Sequence, residues 1–346
     1  MDDSEYWDKL ALGYAKLTRD HAFLEAYDKA IALSGIEGKQ INCMLDISCG
    51  NGTLLARAIK ISQPKIVIGV DYSAEMLKLA RDNLKEAGAC VSSKPLEVYK
   101  RLASLARRAK GGEQVMAEYR KVWDEYTAIK EKKAGKPLAV LLKQDMAALR
   151  FEIKPVADVV FFMFPVFGNL KSTNMPSKEL NSLVNEIQVW SSHLSSFGNA
   201  LNYLKEGGRL VAMLSIASTP ELKGKYGLHK QIFKSMERLG CKVSHFEVYR
   251  NQRLAGMFSK FYEEEGFELE FLTAVFTRTK DTAKTAALRE DIVKSMTKAL
   301  AVLKLSRLPA RVCITRNGKG RLCMAELGGQ QIDLDEITEK IAGLML

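Results

Sequence analysis

The chain has 346 residues, of which 47% are apolar and 27% charged, with a formal net charge of +11. These shares are those of a globular protein, and the length suits one decorated domain or two smaller ones. No apolar run approaches the ~20 residues of a membrane span, the acidic Met1-Asp2-Asp3-Ser4-Glu5 is not a secretory leader, and six cysteines without a Cys-x-x-Cys pair beside four isolated histidines point to reduced cytoplasmic thiols and no metal centre.

Residues 5–34 are expected to be helical, with Tyr6, Leu10, Tyr14 and Leu17, then Phe23, Leu24, Tyr27 and Ile31, at helical spacing. Gly35-Ile36-Glu37-Gly38 breaks the pattern. The apolar run Ile41, Met44, Leu45, Ile47 predicts a buried strand ending in Cys49-Gly50-Asn51-Gly52, and Leu54 to Ile61 predicts a helix. Two glycines at a strand-to-helix turn let a ligand come close to the backbone and to the first helical N–H groups. A second strand, Ile66 to Val70, ends at Asp71, where a carboxylate can accept both hydroxyls of a ribose. Ser73 caps the next helix, which runs to about Ala87 and stops at Gly88.

About fifty residues then intervene where a short connection would suffice. Residues 85–136 predict an inserted pair of amphipathic helices, split by Gly111-Gly112, serving as a lid, a substrate clamp or a homodimer arm. Strand three is Ala139 to Leu142, leading to Asp145, and strand four is Val156 to Phe164, apolar throughout as a strand buried on both faces should be. A loop, Phe164-Pro165-Val166-Phe167-Gly168-Asn169-Leu170, and a helix 179–204 carrying Trp190, His193 and Phe197 follow. Strand five is Arg209 to Ile216. Beyond it come helix 227–239, a strand near Lys242–Val248, helix 252–264, strand Phe267–Thr277 and a helix about 282–305. A hairpin pairing Ala310–Thr315 with Arg321–Glu326 across Asn317-Gly318, and a last helix 333–345, close the chain. The expected division is a helical cover (1–40), a nucleoside-binding core (41–218) interrupted by the insertion, and an elaborated C-terminal part (219–346).

Three nucleotide chemistries compete for the glycine turn. A P-loop needs a Lys after the second glycine of Gly-x-x-x-x-Gly-Lys, and none follows Gly52. A dinucleotide fold wants a third glycine where Leu55 stands. S-adenosylmethionine has no phosphate and needs only the two-glycine turn with acidic partners; Asp46, at the end of strand one, can hold its ammonium.

Five motifs in order carry a resemblance. Leu45-Asp46-Ile47-Ser48-Cys49-Gly50-Asn51-Gly52, Gly69-Val70-Asp71-Tyr72-Ser73-Ala74-Glu75-Met76-Leu77, Lys143-Gln144-Asp145-Met146, Asp158 to Phe164, and Leu204 to Leu210 resemble the successive motifs of class I S-adenosylmethionine-dependent methyltransferases, over about residues 40–218. Ser48 departs from the glycine many members have there. The resemblance implies a doubly wound, seven-stranded, mostly parallel α/β sheet. It implies S-adenosyl-L-methionine as cofactor, bound by Asp46, Ser48, Gly50 and Gly52, by Asp71, Tyr72 and Met76, and by Asp145 and Met146 at the adenine. Phe164 and Tyr14 complete the set, because Trp7 to Tyr14 resembles the cover segment of small-molecule members, where an aromatic lies over the methionine end.

Methyl transfer is an in-line displacement on an activated carbon, so placement in a dry site suffices and no fixed catalytic residue is required. His193 is a candidate general base and Asn169 a candidate for orienting a substrate; each has an ordinary structural reading beside it. Residues 164–167 lack the Asp/Asn-Pro-Pro-Tyr/Phe pattern of enzymes that methylate base amines, and no cysteine has the Pro-Cys context of cytosine C5 enzymes. The leading expectation is a cytoplasmic methyltransferase acting on a small or lipid-like acceptor, anionic ones included. The basic surplus lies outside the nucleoside-binding segments, with a net of −2 over residues 1–83 but +6 over 84–136 and +6 over 219–346. It supports a second reading, an RNA methyltransferase whose affinity falls steeply with salt. A third is a non-catalytic cofactor-binding subunit.

Overall fold

The protein is described by a computed structural model, which describes residues 3–91, 135–146, 149, 157–164, 192–218, 236–262, 268–304, 324–327 and 330–333. The two insertion helices, Asn169 and its loop, half of the expected helix 179–204, most of 227–239, and nearly all of 333–345 lie outside these residues.

Two helices open the chain, α1 (Asp3–Leu17) and α2 (His21–Ser34). The single helical stretch expected over 5–34 is thus broken in two. The break follows from Asp20, whose extended backbone ends one helix and whose Oδ1 accepts the Ala22 amide at 2.9 Å to start the next. Gly35, in the left-handed conformation at φ 63°, closes α2.

Strand β1 (Cys43–Asp46) leads to α3 (Thr53–Ser62), β2 (Ile66–Asp71) and α4 (Ala74–Glu86). α3 buries Leu54, Leu55, Ala58 and Ile59, one apolar stripe worth about 1.5–3 kcal/mol for each large side chain. Ser73 Oγ accepts the Met76 amide at 3.1 Å and starts α4 as the sequence suggests. Then come β3 (Cys90–Val91), β4 (Leu138–Lys143), β5 (Ala157–Met163), a helix over 192–203, β6 (Leu204–Ser218), β7 (Cys241–Tyr249), α5 (Gln252–Tyr262), β8 (Glu268–Arg278), α6 (Ala283–Lys304) and the strands β9 (Met324–Leu327) and β10 (Gln330–Asp333).

The main sheet has the order β3-β4-β2-β1-β5-β6-β8-β7. All pairings are parallel except those of β8, which runs antiparallel to both β6 and β7. It has eight strands rather than the expected seven, because the two-residue β3 adds itself to the edge beside β4. The order reverses at β1, which has β2 on one side and β5 on the other, so a topological switch point lies there. All seven residues of β5 are buried, as a central parallel strand requires.

Two cores flank the sheet. One face carries Phe23, Tyr27, Leu54, Leu55, Phe161, Phe258 and Phe271, covered by α2, α3 and α5. The other carries Ile47, Val70, Phe162, Phe197, Phe276, Ile292 and Met296, covered by helix 192–203 and α6. Arg289 of α6 is 3% exposed and pins that layer, donating to Asn202 Oδ1, the Leu239 carbonyl and Asp281.

β9 and β10 pair antiparallel, an addition to the expected elements. The expected pairing of Ala310–Thr315 with Arg321–Glu326 across Asn317-Gly318 lies mostly outside the described residues. Among the described residues no helix is long and apolar enough to cross a membrane.

Candidate functional site

Because β4, β2, β1 and β5 are adjacent and parallel, their carboxyl ends share one rim of the sheet. Asp46 ends β1, Asp71 ends β2, Asp145 lies two residues beyond β4, and Phe164 follows β5. The three carboxylates expected to grip one ligand are therefore on one side of the sheet, beside the switch point.

The turn after β1 is held by those carboxylates. Asp46 Oδ1 accepts the Ser48 amide at 3.0 Å, and Ser48 Oγ donates to the Met163 carbonyl at 3.1 Å, tying the turn to β5. Asp71 Oδ2 accepts the Gly50 amide at 2.8 Å and Oδ1 the Ser73 amide at 2.9 Å. Burial pushes the Asp46 carboxyl up to about 7, with Asp71 adding to it against the pull of the Ser48 amide. Burial likewise pushes Asp71 up to about 6, although the Ser73, Gly50 and Tyr72 amides favour its charged form. Among the described residues neither carboxylate meets a Lys or Arg. A buried Asp46 beside a half-buried Asp71 is costly to ionise, and a positively charged ligand would relieve that cost.

The two glycines have different tasks. Gly50 adopts φ +51°, and a Cβ there would touch only the Tyr14 ring, at 3.4 Å. Gly52 adopts φ +74°, and its Cβ would lie 2.9 Å from that of Ala80. Gly50 thus keeps the site side of the turn open, whereas Gly52 lets α3 and α4 approach each other.

Helix α1 covers the turn through three attachments. Asp8 Oδ1 accepts the Ser73 hydroxyl at 2.5 Å and the Glu75 amide at 3.2 Å, so it caps α4 from another helix. Burial opposes ionisation of Asp8, but Ser73, the Glu75 amide and nearby Lys143 outweigh it and hold the carboxyl below its ordinary value. Thr18 Oγ1 accepts from Asn51 Nδ2 at 2.8 Å, fastening the end of α1 to the glycine turn. Between them Tyr14 lies against Gly50, wedged edge-on by Trp7 and Phe23 with its hydroxyl accepting from Tyr27. Burial, with Asp71 and Asp46 nearby, raises the Tyr14 phenol above its usual range. Asp8, Thr18, Asn51 and Tyr27 escaped sequence reasoning: each bond joins segments far apart in the chain, and no local spacing announces it.

The remaining expected residues divide. Tyr72 is half-buried just past Asp71, and Met76 is buried in the first turn of α4. Asp145 and Met146 are half-buried, and the Met146 carbonyl accepts from Asn199. Phe164 is 4% exposed and packs among Phe23, Tyr27, Phe258 and Phe271, so it walls the rim from behind. Its φ of 47° is unusual for a large side chain and turns the chain out of β5, with its amide on the Met213 carbonyl at 2.8 Å. His193 sits half-buried in helix 192–203, in the layer on the other face of the sheet from α2 and α5.

Residues 44–107, which span β1, the glycine turn, α3, β2 and α4, match the methyltransferase domain family. That match covers 64 of the chain's 346 residues. The sheet is mostly parallel, with the glycine turn at the switch point. No curated protein matches the chain. Among solved structures it is similar to the N-methyltransferase NodS from Bradyrhizobium japonicum WM9 in complex with S-adenosyl-L-homocysteine, at 9% identity and TM-score 0.46, covering 81% of this chain and 100% of that one. It is also similar to a geranyl diphosphate methyltransferase in complex with GPP and sinefungin, at 12% identity and TM-score 0.42, covering 74% and 77%. A third is the Haloferax volcanii complex of the Trm112 methyltransferase activator with a methyltransferase, at 14% identity and TM-score 0.42, covering 79% and 98%.

The residues at this rim fit S-adenosylmethionine. S-adenosylmethionine carries a ribose diol, an ammonium and a sulfonium. Asp71, held by backbone amides, is oriented to accept hydroxyls, Asp46 meets no Lys or Arg among the described residues, and Gly50 keeps the approach clear.

Proposed function

We propose that this protein is an S-adenosylmethionine-dependent methyltransferase acting on a small or lipid-like acceptor, anionic ones included. The observation that carries the reading is the pair of carboxylates, buried Asp46 and half-buried Asp71, beside the Gly50 turn and under Tyr14. Asp71 would hold the ribose hydroxyls, Asp46 the ammonium, and the Asp145-Met146 segment, with Tyr72 and Met76, the adenine. The bound cofactor supplies a methyl on a positively charged sulfur, already poised for displacement.

The protein's part is placement and exclusion of water. Tyr14, backed by Trp7, Phe23 and Tyr27, screens the methionine end. Phe164 and the aromatic wall behind it make the end of β5 a rigid backing for the site. The absence of an Asp/Asn-Pro-Pro-Tyr/Phe sequence at 164–167 separates it from enzymes of base amines, and the net charge of +11 favours an acid or phosphate on the acceptor.

Incubation with methyl-labelled cofactor and, separately, a metabolite extract, a lipid extract and total RNA tests the reading. Label in an organic-soluble or small polar product, at a rate nearly independent of salt, supports it. Label in RNA, lost steeply as salt rises, would replace it with the RNA reading. Cofactor binding without label in any pool would favour a non-catalytic subunit.

A further inference from the structure

Helix 192–203 buries polar side chains where apolar ones would pack as well. Leu194, Phe197 and Leu201 seal it onto the sheet, yet Ser195 and Ser196 are wholly buried and Asn199 is 3% exposed. A buried amide costs roughly 1–3 kcal/mol unless its bonds are met. Asn199 Nδ2 donates to the Met146 carbonyl at 3.4 Å, and the Tyr203 hydroxyl donates to the Leu149 carbonyl at 3.2 Å. Residues four apart lie on one face of a helix, so the two donors act as a single clamp. What they hold is the main chain just beyond β4, the segment that carries Asp145 and Met146.

We propose that Asn199 and Tyr203 are positioning residues for base recognition: by holding the Met146 and Leu149 carbonyls they set where Asp145 meets the exocyclic amine of the cofactor's adenine. The inference rests on the assignment of Asp145-Met146 to the adenine made above. Neither residue touches the ligand. Their effect is on selectivity, because an acceptor held in place rewards an amine and penalises a carbonyl oxygen at the same position of the base. A clamp that only stabilises the fold would lower affinity for every nucleoside alike and leave selectivity unchanged.

The test measures calorimetric affinity of the full chain for S-adenosylhomocysteine and for its deaminated analogue, S-inosylhomocysteine, with the thermal midpoint recorded in parallel. The wild type is expected to favour the adenosyl ligand at least tenfold. Tyr203→Phe keeps the ring packing and removes only the hydroxyl; it is expected to cut that preference at least threefold, and Asn199→Ala to cut it further. If Asn199→Ala does not fold, Tyr203→Phe decides alone. Wild-type preference retained in a folded variant overturns the inference while leaving the cofactor assignment intact. A wild type that binds both ligands equally overturns the inference through the Asp145 assignment, and one that binds neither overturns the proposed function itself.

Discussion

The Gly50 amide donates to Asp71 Oδ2 at 2.8 Å, joining two residues twenty-one positions apart. This bond fastens the turn after β1 to the end of β2, so the residue that opens the site and the residue that would grip the ribose are set by one contact. Asp71 also holds the Ser73 amide and thereby the start of α4. A ligand hydroxyl arriving at Asp71 meets a carboxylate already oriented on both oxygens.

Replacing Asp71 with Ala is therefore expected to weaken S-adenosylhomocysteine by about 1–3 kcal/mol, through the lost hydroxyl contacts and the released Gly50 amide. Asp71→Asn, which keeps one acceptor oxygen, should fall between. Titration calorimetry checks both, and affinity unchanged in Asp71→Ala would remove the ribose assignment.

The two raised carboxyls give the site a pH signature. A folded-state value above the unfolded one, ~4 for aspartate, means that the folded protein holds protons the unfolded chain has released. Stability of the ligand-free protein should then decline as pH rises from ~4 through about 6 for Asp71 and about 7 for Asp46. An ammonium ligand needs Asp46 charged, so its affinity runs the opposite way and weakens by up to about tenfold per unit as pH drops below about 7. Asp46→Asn should flatten that slope; a slope that survives the substitution assigns it to another group.

Gly52→Ala and Gly88→Ala separate strain from crowding. Both glycines have positive φ, +74° and +89°, but a Cβ at Gly52 would meet Ala80, while one at Gly88 would meet nothing within 4 Å among the described residues. Each substitution is expected to cost about 1 kcal/mol in backbone strain, with a further ~1–2 kcal/mol at Gly52 for the overpacked contact. Equal shifts in thermal midpoint would mean that α3 and α4 do not need the close approach.

Asp8 links the cover to the site without touching the expected ligand. Asp8→Ala should release α1 from Ser73 and Glu75 and speed cofactor dissociation about two- to tenfold, the kinetic equivalent of roughly 0.5–1.5 kcal/mol. Stopped-flow displacement of S-adenosylhomocysteine measures it. An unaltered off-rate would make α1 a passive cover.

Much of this site is legible because it is local. An apolar run, two glycines, an amphipathic stretch and an aspartate at the next strand end lie within thirty residues, and pattern alone orders them into β1, α3 and β2. β5 reads clearly because burial on both faces leaves no polar residue to confuse it. What stays hidden is of two kinds. Attachments such as Asp8 to Ser73 and Thr18 to Asn51 span 65 and 33 residues, and they depend on how α1 lies across the sheet, which no spacing encodes. Short pairings depend on tertiary opportunity: Cys90–Val91 becomes a strand only because β4 offers it a free edge. Phe164 shows a subtler limit, since its place after β5 predicts proximity to the ligand, whereas its ring turns back into the aromatic wall.

A crystal structure of the protein with S-adenosylhomocysteine tests the central claim most directly. The account predicts both ribose hydroxyls within hydrogen-bond distance of Asp71, the amino group beside Asp46 and the thioether end beneath Tyr14. Ligand density away from the rim formed by β1, β2 and β4, or a nucleoside bound there with Asp71 untouched, would contradict it.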